Sequence, residues 1–509
     1  MVGGATLLSR ILGLVRDLVT AYFFGAGMAA DAFFVAFRLP NLLRRLLAEG
    51  ALTVSFIPIF TEYLSERGRD EAFQLAKAAL ALFSIVLAVV SILGVLLAPY
   101  IVYVFAPGFT DDPEKFRLTV LLARIMFPYI FLIGLVALAM GVLNSLGRFA
   151  APALSPVMLN IGMIAAVFLL TSRFQPPILA LAIGVIVGGI LQVLLQIPSL
   201  AKEKGLLGVS LNFKHPALKR IGLLMVPAAL GAAVYQFTVF INTLLASFLP
   251  QGSVSYLYYA DRVMQFPLGV FAIAIGTAVL PTMSRQAAQR DMQALGHTLS
   301  FSMRLVFFIT IPATVGIIIL AKPIVALLFQ RGQFDAMSTD ATTQALVAYA
   351  VGLCALSAVQ VLVRVFYSLQ DTKTPAKIAA YSLLGNMVLG VSLMLPFKHV
   401  GLALASTGGS ILNFALLVIV LRRRLGRIDG RNIARSAAKN LAWALCMALV
   451  VYLVSNVDLW GFINRPSIRV LIRVVLGISA GGAVYAALAL IFKAPEAKTL
   501  INQFRRRAA

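Results

Sequence analysis

Several charged residues lie inside long apolar runs, where ionised groups are costly and usually serve a function. They are concentrated in the first two runs and in a later one: Arg10, Arg16, Asp17, Asp31, Arg38, Arg44, Arg45, Glu49, Asp261 and Arg262. Arginine exceeds acid in this set. Guanidinium groups bind phosphate through paired hydrogen bonds, and a low dielectric strengthens the contact. The pattern predicts a cavity for an anionic ligand, with Arg16, Arg44 and Arg262 as the main cavity residues.

Other charges in these runs have simpler interpretations. Arg45 and Glu49 are four residues apart and can pair on one helix face. Asp261 can neutralise its neighbour Arg262. Three further arginines, Arg124, Arg304 and Arg364, can extend towards the membrane surface or pair locally.

Composition defines the scaffold that must hold these side chains. Of the 509 residues, 61% are hydrophobic and only 12% are charged, and the mean hydropathy is +0.94. A soluble domain carries about twice that charge fraction, so a soluble enzyme, a disordered chain and a coiled coil are excluded. The apolar runs are of helical length rather than alternating short strands. The sequence predicts an all-α polytopic membrane protein.

Apolar runs of helical length predict fourteen spans. They lie near 5–27, 31–62, 73–105, 117–145, 150–172, 177–199, 218–248, 253–284, 296–320, 341–369, 375–396, 400–421, 432–455 and 467–492. The second run carries Pro40 and Gly50, which predict a bend or break. The segment 321–333 is too short to span and is expected to be interfacial or re-entrant.

Charge in the connecting loops predicts the orientation. The net charge is +24. With the N-terminus in the cytoplasm, most loop lysines and arginines lie on the cytoplasmic side, as the positive-inside rule requires. Both termini are therefore predicted to be cytoplasmic. Because the basic residues are not on a soluble domain, no nucleic-acid partner is expected.

Two motifs typical of catalysis are missing from the sequence. It contains no G-x-x-x-x-G-K-[ST] phosphate loop and no H-E-x-x-H pattern. The two cysteines, Cys354 and Cys446, lie in apolar runs and give no metal spacing. We expect no enzyme activity, no cofactor and no metal site, and transport would be driven by ions, by the membrane potential or by the substrate gradient.

Short sequence matches recur at a spacing of about 223 residues. Residues 145–146 and 152–153 (SL and PA) match 368–369 and 375–376, and the LALA of 179–182 recurs at 402–405. Six spans per copy give both copies the same orientation, which predicts a parallel repeat and two six-helix lobes around a central cavity. The predicted domains are 1–215 with spans 1–6, 216–427 with spans 7–12, and 428–509 with spans 13–14 and a basic tail.

Two motifs resemble the MurJ (MviN) lipid II flippase family. The first consists of residues 9–17 and 24–45, SRILGLVRD and FGAGMAADAFFVAFRLPNLLRR, and the second of residues 252–262, GSVSYLYYADR. The resemblance extends over essentially the whole chain. It implies the fold of the multidrug/oligosaccharidyl-lipid/polysaccharide exporter superfamily, with two extra C-terminal helices that line a groove for a polyprenyl tail.

The resemblance also implies the activity and its residues. The substrate would be lipid II, the undecaprenyl-diphosphate-linked disaccharide-pentapeptide, moved to the periplasmic leaflet of the bacterial inner membrane for peptidoglycan synthesis. Peptidoglycan synthases are further candidate partners, and a monomer is expected to suffice. The family's functional residues correspond here to Arg10, Arg16, Ala21, Asp31, Arg44, Ser255 and Arg262.

The chain departs from the family pattern at two places. Gln265 replaces a glutamate of well-studied members, so a charge-pair role is not expected at this position. Spans 7 and 11 offer Gln236, Asn242 and Asn386 but no carboxylate where a relative binds sodium, so no sodium site is carried over.

Four other functions compete with a lipid II flippase. A flippase for another polyprenyl-diphosphate glycan is disfavoured only by the specific motifs. A drug or cation antiporter of the same superfamily would need an acidic cavity. A scaffold for cell-wall synthases would not need charged spans, and an enzyme acting on lipid diphosphates would need a nucleophile, base or metal that the sequence does not show.

Overall fold

The computed structural model describes residues 2–46, 52–203, 208, 210–426, 428–456 and 466–498. Every regular element within these ranges is a helix, which confirms the all-α polytopic fold. The first half contains α1 Val2–Phe24, α2 Met28–Leu43, α3 Thr53–Glu66, α4 Arg69–Leu96, α5 Ala98–Phe105, α6 Pro113–Met126, α7 Tyr129–Ser145, α8 Ala150–Leu170 and α9 Leu179–Ala201. The second half contains α10 Pro216–Ser247, α11 Ser253–Pro267, α12 Ile273–Ala288, α13 Met292–Phe329, α14 Ala336–Val351, α15 Leu353–Ser368, α16 Lys373–Leu425, α17 Gly430–Asn456 and α18 Pro466–Ile491.

Membrane-spanning length and hydropathy are met by many of these helices. Eight helices in the described ranges are long and apolar enough to cross a membrane, or nine if α14 and α15, bent by 44°, form one span. The helix α16 contains two predicted spans joined at a kink at Lys398. The first predicted span, α1, is helical but lies outside this apolar set. For α1, which is long enough at 23 residues, the reason is its three charged side chains, Arg10, Arg16 and Asp17.

The helix bounds bear on two details of the predicted spans. The second run is divided between α2 and α3. Gly50 and Glu49, between these two helices, lie outside the described residues, so the bend or break expected there stays a prediction. Most of the segment 321–333, expected to be interfacial or re-entrant, is the end of α13, a continuous helix of 38 residues that accommodates Pro312 and Pro323. The re-entrant alternative was wrong, because the chain does not turn back within this helix, and the interfacial alternative stays a prediction.

The internal repeat is visible in the helix boundaries. Helix starts recur 223 positions apart at Arg69 and Met292, at Pro113 and Ala336, and at Ala150 and Lys373. Helix ends recur with the same spacing at Phe24 and Ser247 and at Ser145 and Ser368. Even the capping is repeated, because Asp112 and Asp335 both accept backbone N–H bonds at the starts of α6 and α14.

By packing, the chain divides into two compact units. The first contains Met1–Ser255 with Arg331–Phe334, and the second contains Tyr256–Gln330 with Asp335–Ala509. In the first unit α10 packs against α3, α4 and α5, although it is the first helix of the second copy. The predicted domain boundaries follow the repeat rather than this packing, and they remain a prediction.

Buried apolar side chains stabilise each unit. In the first unit α3, α4 and α7 share a core with α10, built around Phe56, Phe60 and Phe73. In the second unit one core joins α12, α13, α15 and α16, and another joins α13 to α17 and α18. In that last core the Tyr485 hydroxyl donates to the Phe308 carbonyl at 2.8 Å.

Candidate functional site

Among the described residues of the first unit, the most enclosed charged group is the carboxylate of Asp31, on the first turn of α2. Its side chain is 1% exposed. The Lys115 Nζ donates to Oδ2 at 2.9 Å, and the Gly252 N–H donates to the same oxygen at 2.7 Å. Both the backbone N–H and the hydroxyl of Ser255 donate to Oδ1, at 2.9 and 2.7 Å. Four donors therefore satisfy this buried carboxylate.

Lys115 enters this cluster from the first turn of α6. Its Nζ also lies 4.0 Å from the centroid of the Phe109 ring. The side chain is 7% exposed, so the lysine and Asp31 form a buried ion pair. Asp31, Lys115, Gly252 and Ser255 are called the Asp31 cluster below.

Sequence reasoning missed Lys115, which lies just before the predicted span 117–145. A usable signal was present. A cation in the first turn of a helix opposes the helix dipole, so an unexplained lysine there points to a specific anionic partner.

Arg16 is buried on α1, with 7% exposure. Its guanidinium donates to Asp17 Oδ1 from Nη2 at 2.7 Å and from Nε at 3.1 Å. It also donates from Nη1 to the Asn160 Oδ1 of α8 at 3.2 Å. Asn160 in turn donates to the Ser9 carbonyl and so ties α8 to α1. This asparagine was also missed, although an isolated amide in an apolar span is a signal of an interhelical hydrogen bond.

The other predicted residues of the first unit differ in exposure. Arg10 is exposed on α1, and Ala21 is fully buried on the same helix. Arg44 is half-buried beyond the end of α2, where its Nε donates to Asn41 Oδ1 at 2.9 Å. The structure thus brings Asp31 and Ser255 into direct contact, while Arg16 contacts Asp17 and Asn160 and Arg44 contacts Asn41.

Arg262 lies on α11 in the second unit. Its Nη2 donates to the Tyr258 hydroxyl at 3.0 Å, and its guanidinium carbon lies 5.2 Å from the centre of that ring. Gln265, one turn further along, is exposed and donates through Nε2 to Asp261 Oδ2. The glutamine therefore contacts the neighbouring carboxylate of the same helix.

Three of the remaining arginines now have defined surroundings. Arg304 pairs with the buried Glu496 at 3.6 Å, which is a tertiary partner from the C-terminal segment. Arg38 donates to the Thr243 hydroxyl of α10. Arg124 is exposed on α6. Among the described residues, no group of three His, Cys, Asp or Glu side chains is placed to hold a metal ion.

The fold and the site define a class of protein. A duplicated, all-helical membrane protein with arginines and a buried ion pair among its helices has the features of a polytopic transporter.

Comparison with known proteins identifies the family. The family model described as lipid II flippase MurJ matches residues 20–470. The chain is 40% identical to a probable lipid II flippase MurJ of Vibrio cholerae, over 82% of this chain and 81% of that one. It is also 40% identical to the lipid II flippase MurJ of Burkholderia cenocepacia, over 83% of each. The chain belongs to the lipid II flippase MurJ family.

Solved structures agree with this assignment. A lipid II flippase MurJ in an inward closed conformation superposes with a TM-score of 0.80 at 28% identity, covering 96% of this chain and 98% of that one. An inward-facing multidrug transporter of the MATE family superposes with a TM-score of 0.71 at 17% identity, covering 83% of this chain and 96% of that one. The second likeness extends to the fold alone.

Proposed function

We propose that this protein is a lipid II flippase, which moves undecaprenyl-diphosphate-linked disaccharide-pentapeptide to the periplasmic leaflet for peptidoglycan synthesis. Family membership, matched over residues 20–470, carries the proposal. The protein acts in the inner membrane with both termini in the cytoplasm, as the loop charges favour. It acts as a transporter without bond-making chemistry, and one chain suffices. Peptidoglycan synthases are its candidate partners.

Arginine chemistry supports a diphosphate head group as the recognised part of the substrate. Arg10, Arg16, Arg44 and Arg262 would contact it. A guanidinium binds phosphate oxygens with two parallel hydrogen bonds, which lysine cannot reproduce. Arg16 is already oriented by Asp17 and Asn160, so little side-chain entropy would be lost when it binds an anion.

The Asp31 cluster has a different proposed role. Asp31 and Ser255 are buried in mutual hydrogen bonds, so they would contact substrate only after the cluster opens. While closed, the cluster holds the start of α11 against α2 and α6. Alternating access requires such contacts to break and reform, and the Asp31 cluster is the one we assign to this step.

Depletion of the protein, followed by measurement of the lipid-linked substrate in each leaflet, tests the function. The protein is removed from its host, and lipid-linked disaccharide-pentapeptide is measured in each leaflet before and after restoring wild type or Arg262→Ala. We expect inner-leaflet accumulation that wild type relieves and Arg262→Ala does not. Arg173→Ala, a change at an exposed loop arginine, is the matched control and should restore transport. No accumulation with normal growth would contradict the proposal and favour a flippase for another glycan.

Individual arginine variants test the recognised group. Arg16→Ala and Arg44→Ala should abolish complementation while the protein remains in the membrane. Lysine at either position should restore part of the activity, because charge is kept and the planar fork is lost. Full growth with all three alanine variants, including Arg262→Ala, would exclude the arginine assignment.

A further inference from the structure

A second basic feature of the first unit lies on α6, on residues other than those of the Asp31 cluster. A cavity of about 320 Å³ between α5 and α6 is lined by Pro99, Phe116, Arg117, Val120, Leu121 and Arg124. Arg117 and Arg124 are seven residues apart on one face of α6, with Leu121 between them, and all three are exposed. Two turns of helix separate the guanidinium-bearing positions by roughly 10 Å.

The side chains around this cavity are largely apolar and exposed. On α4 and α5 the exposed side chains include Leu96 at 65%, Tyr100 at 71% and Tyr103 at 57%. Tyrosines beside an apolar surface are typical of the boundary between head groups and acyl chains. The cavity therefore opens towards lipid, with its two arginines at the edge of an acyl-chain surface.

Arg124 is a charged residue within an apolar segment. It lies eleven residues into α6, roughly 16 Å from the helix start, and α6 begins a segment apolar and long enough to cross a membrane. Within the described residues, no hydrogen bond or ion pair is found for Arg124 or Arg117. An exposed arginine in such a segment is costly unless an anion from outside the chain pairs with it.

The repeat provides an internal comparison. The positions of Pro99 and Arg117 correspond, 223 residues later, to Lys322 and Asp340. In the second copy these two side chains form an ion pair of 2.6 Å. The charge of Asp340 on α14 is therefore paired within the protein. Arg117, at the corresponding position of α6, instead adds a positive charge beside a cavity.

From these observations we infer that the cavity between α5 and α6 binds the phosphate head group of an anionic glycerophospholipid. Arg117 and Arg124 would contact the phosphate, and the acyl chains would lie along Leu96, Tyr100 and Leu121. The lipid belongs to the leaflet at the α5–α6 end of the unit, which is the outer leaflet in the predicted orientation. This site is independent of the substrate arginines.

Lipid titration of the full-length protein tests the inference. Delipidated protein is titrated with phosphatidylglycerol and, separately, with phosphatidylcholine, and bound lipids are counted by native mass spectrometry. Two arginines near a membrane surface contribute about 1 kcal/mol each, so the double variant Arg117→Gln/Arg124→Gln should lose roughly thirtyfold in phosphatidylglycerol affinity. Each single variant should lose part of this. Phosphatidylcholine binding should change little.

A charge-matched control separates a site from general attraction. Arg173→Gln/Lys398→Gln removes two exposed cations predicted on the same side of the membrane and should leave phosphatidylglycerol binding unchanged. Equal losses in this control, or wild-type affinity in the double variant, would overturn the inference. Inorganic phosphate at millimolar concentration should not displace the lipid; full displacement would show a simple anion site instead. If the double variant is not monodisperse, the single variants decide.

Discussion

The two copies of the repeat share several helix boundaries but differ in their charged residues. On α6 the first copy places Lys115 and Arg117, and on α14 the second copy has Ser338 and Asp340 at the corresponding positions. Lys115 is buried against Asp31, whereas Asp340 pairs with Lys322 at the surface. The duplication therefore preserved the apolar pattern that sets the helices, while ionic chemistry diverged on it.

One ion pair occurs in both copies with the positions of its positive and negative partners exchanged. In the first copy Arg148, after α7, pairs with the buried Glu203, after α9, at 3.2 Å. In the second copy Asp371, at the position of Arg148, pairs with Arg424 at the end of α16 at 2.5 Å. Hydrogen bonds from Thr374, together with Arg424, lower the pKa of Asp371 to about 2. The loop-to-helix contact is common to both copies, and the sign of each charge is not.

The largest difference between the copies should appear on removing the carboxylate of Asp31. Asp31→Asn leaves Lys115 as a buried cation without its counter-ion, so it should destabilise the protein by about 3–5 kcal/mol and abolish complementation. The measurement is reversible unfolding of the purified protein in detergent. Asp340→Asn, which breaks the exposed pair of the second copy, is the matched control. Equal destabilisation by the two changes would contradict the expectation that the buried pair of the first copy contributes more stability than the exposed pair of the second.

The same experiment is sharpened by removing both charges of the buried pair. Asp31→Asn/Lys115→Met should recover much of the lost stability, because no isolated charge stays buried. It should not recover transport if the Asp31 cluster acts in the conformational step. Recovered transport would show that the pair serves only stability.

A glycine in the first copy should give the next largest effect. Gly25, after α1, has a φ of +61°, and a β-carbon there would overlap the carbonyl oxygen of Gln333. The corresponding residue after α10 is Phe248, which has ordinary helical backbone angles. Gly25→Ala should therefore destabilise by about 3 kcal/mol, and Phe248→Ala by much less since this ring is 52% exposed. Thermal unfolding of both variants makes the comparison.

Removing one hydrogen bond of the Asp31 cluster should have an intermediate effect. Ser255→Ala deletes the hydroxyl donor to Oδ1 but keeps the backbone N–H donor. A bond to a charged group contributes about 1.5 kcal/mol at the lower end of its range, so Ser255→Ala should lose that much stability and retain part of the transport. Ser255→Thr, which keeps a hydroxyl, is the control. Stability unchanged in the alanine variant would argue against the hydroxyl bond.

The smallest effect is expected at the surface pair of the second copy. Lys322 and Asp340 are 65% and 52% exposed, and exposed pairs contribute about 0–1 kcal/mol. Lys322→Gln should change stability by no more than this and leave transport intact, measured by complementation. A loss above about 2 kcal/mol would place this pair among the buried ones and remove the contrast with the first copy.

The sequence by itself determined the all-helical membrane fold, the repeat and the family. Hydropathy and helix length are local properties, because each span satisfies its own backbone hydrogen bonds within the bilayer. The shared offset of short matches then located the second copy, and the helix boundaries recur at the same spacing. The choice of Asp31 and Ser255 also came from sequence, through the family motifs around them.

Only the tertiary structure decided what these side chains contact. Asp31 and Ser255 are 224 positions apart, and Lys115 reaches the same carboxylate from a third element, so no local pattern could relate them. Likewise, Arg304 and its partner Glu496 are distant in the chain. The chemistry of a buried charge depends on the donors packed around it, and that packing is set by the assembled helices rather than by the sequence near each residue.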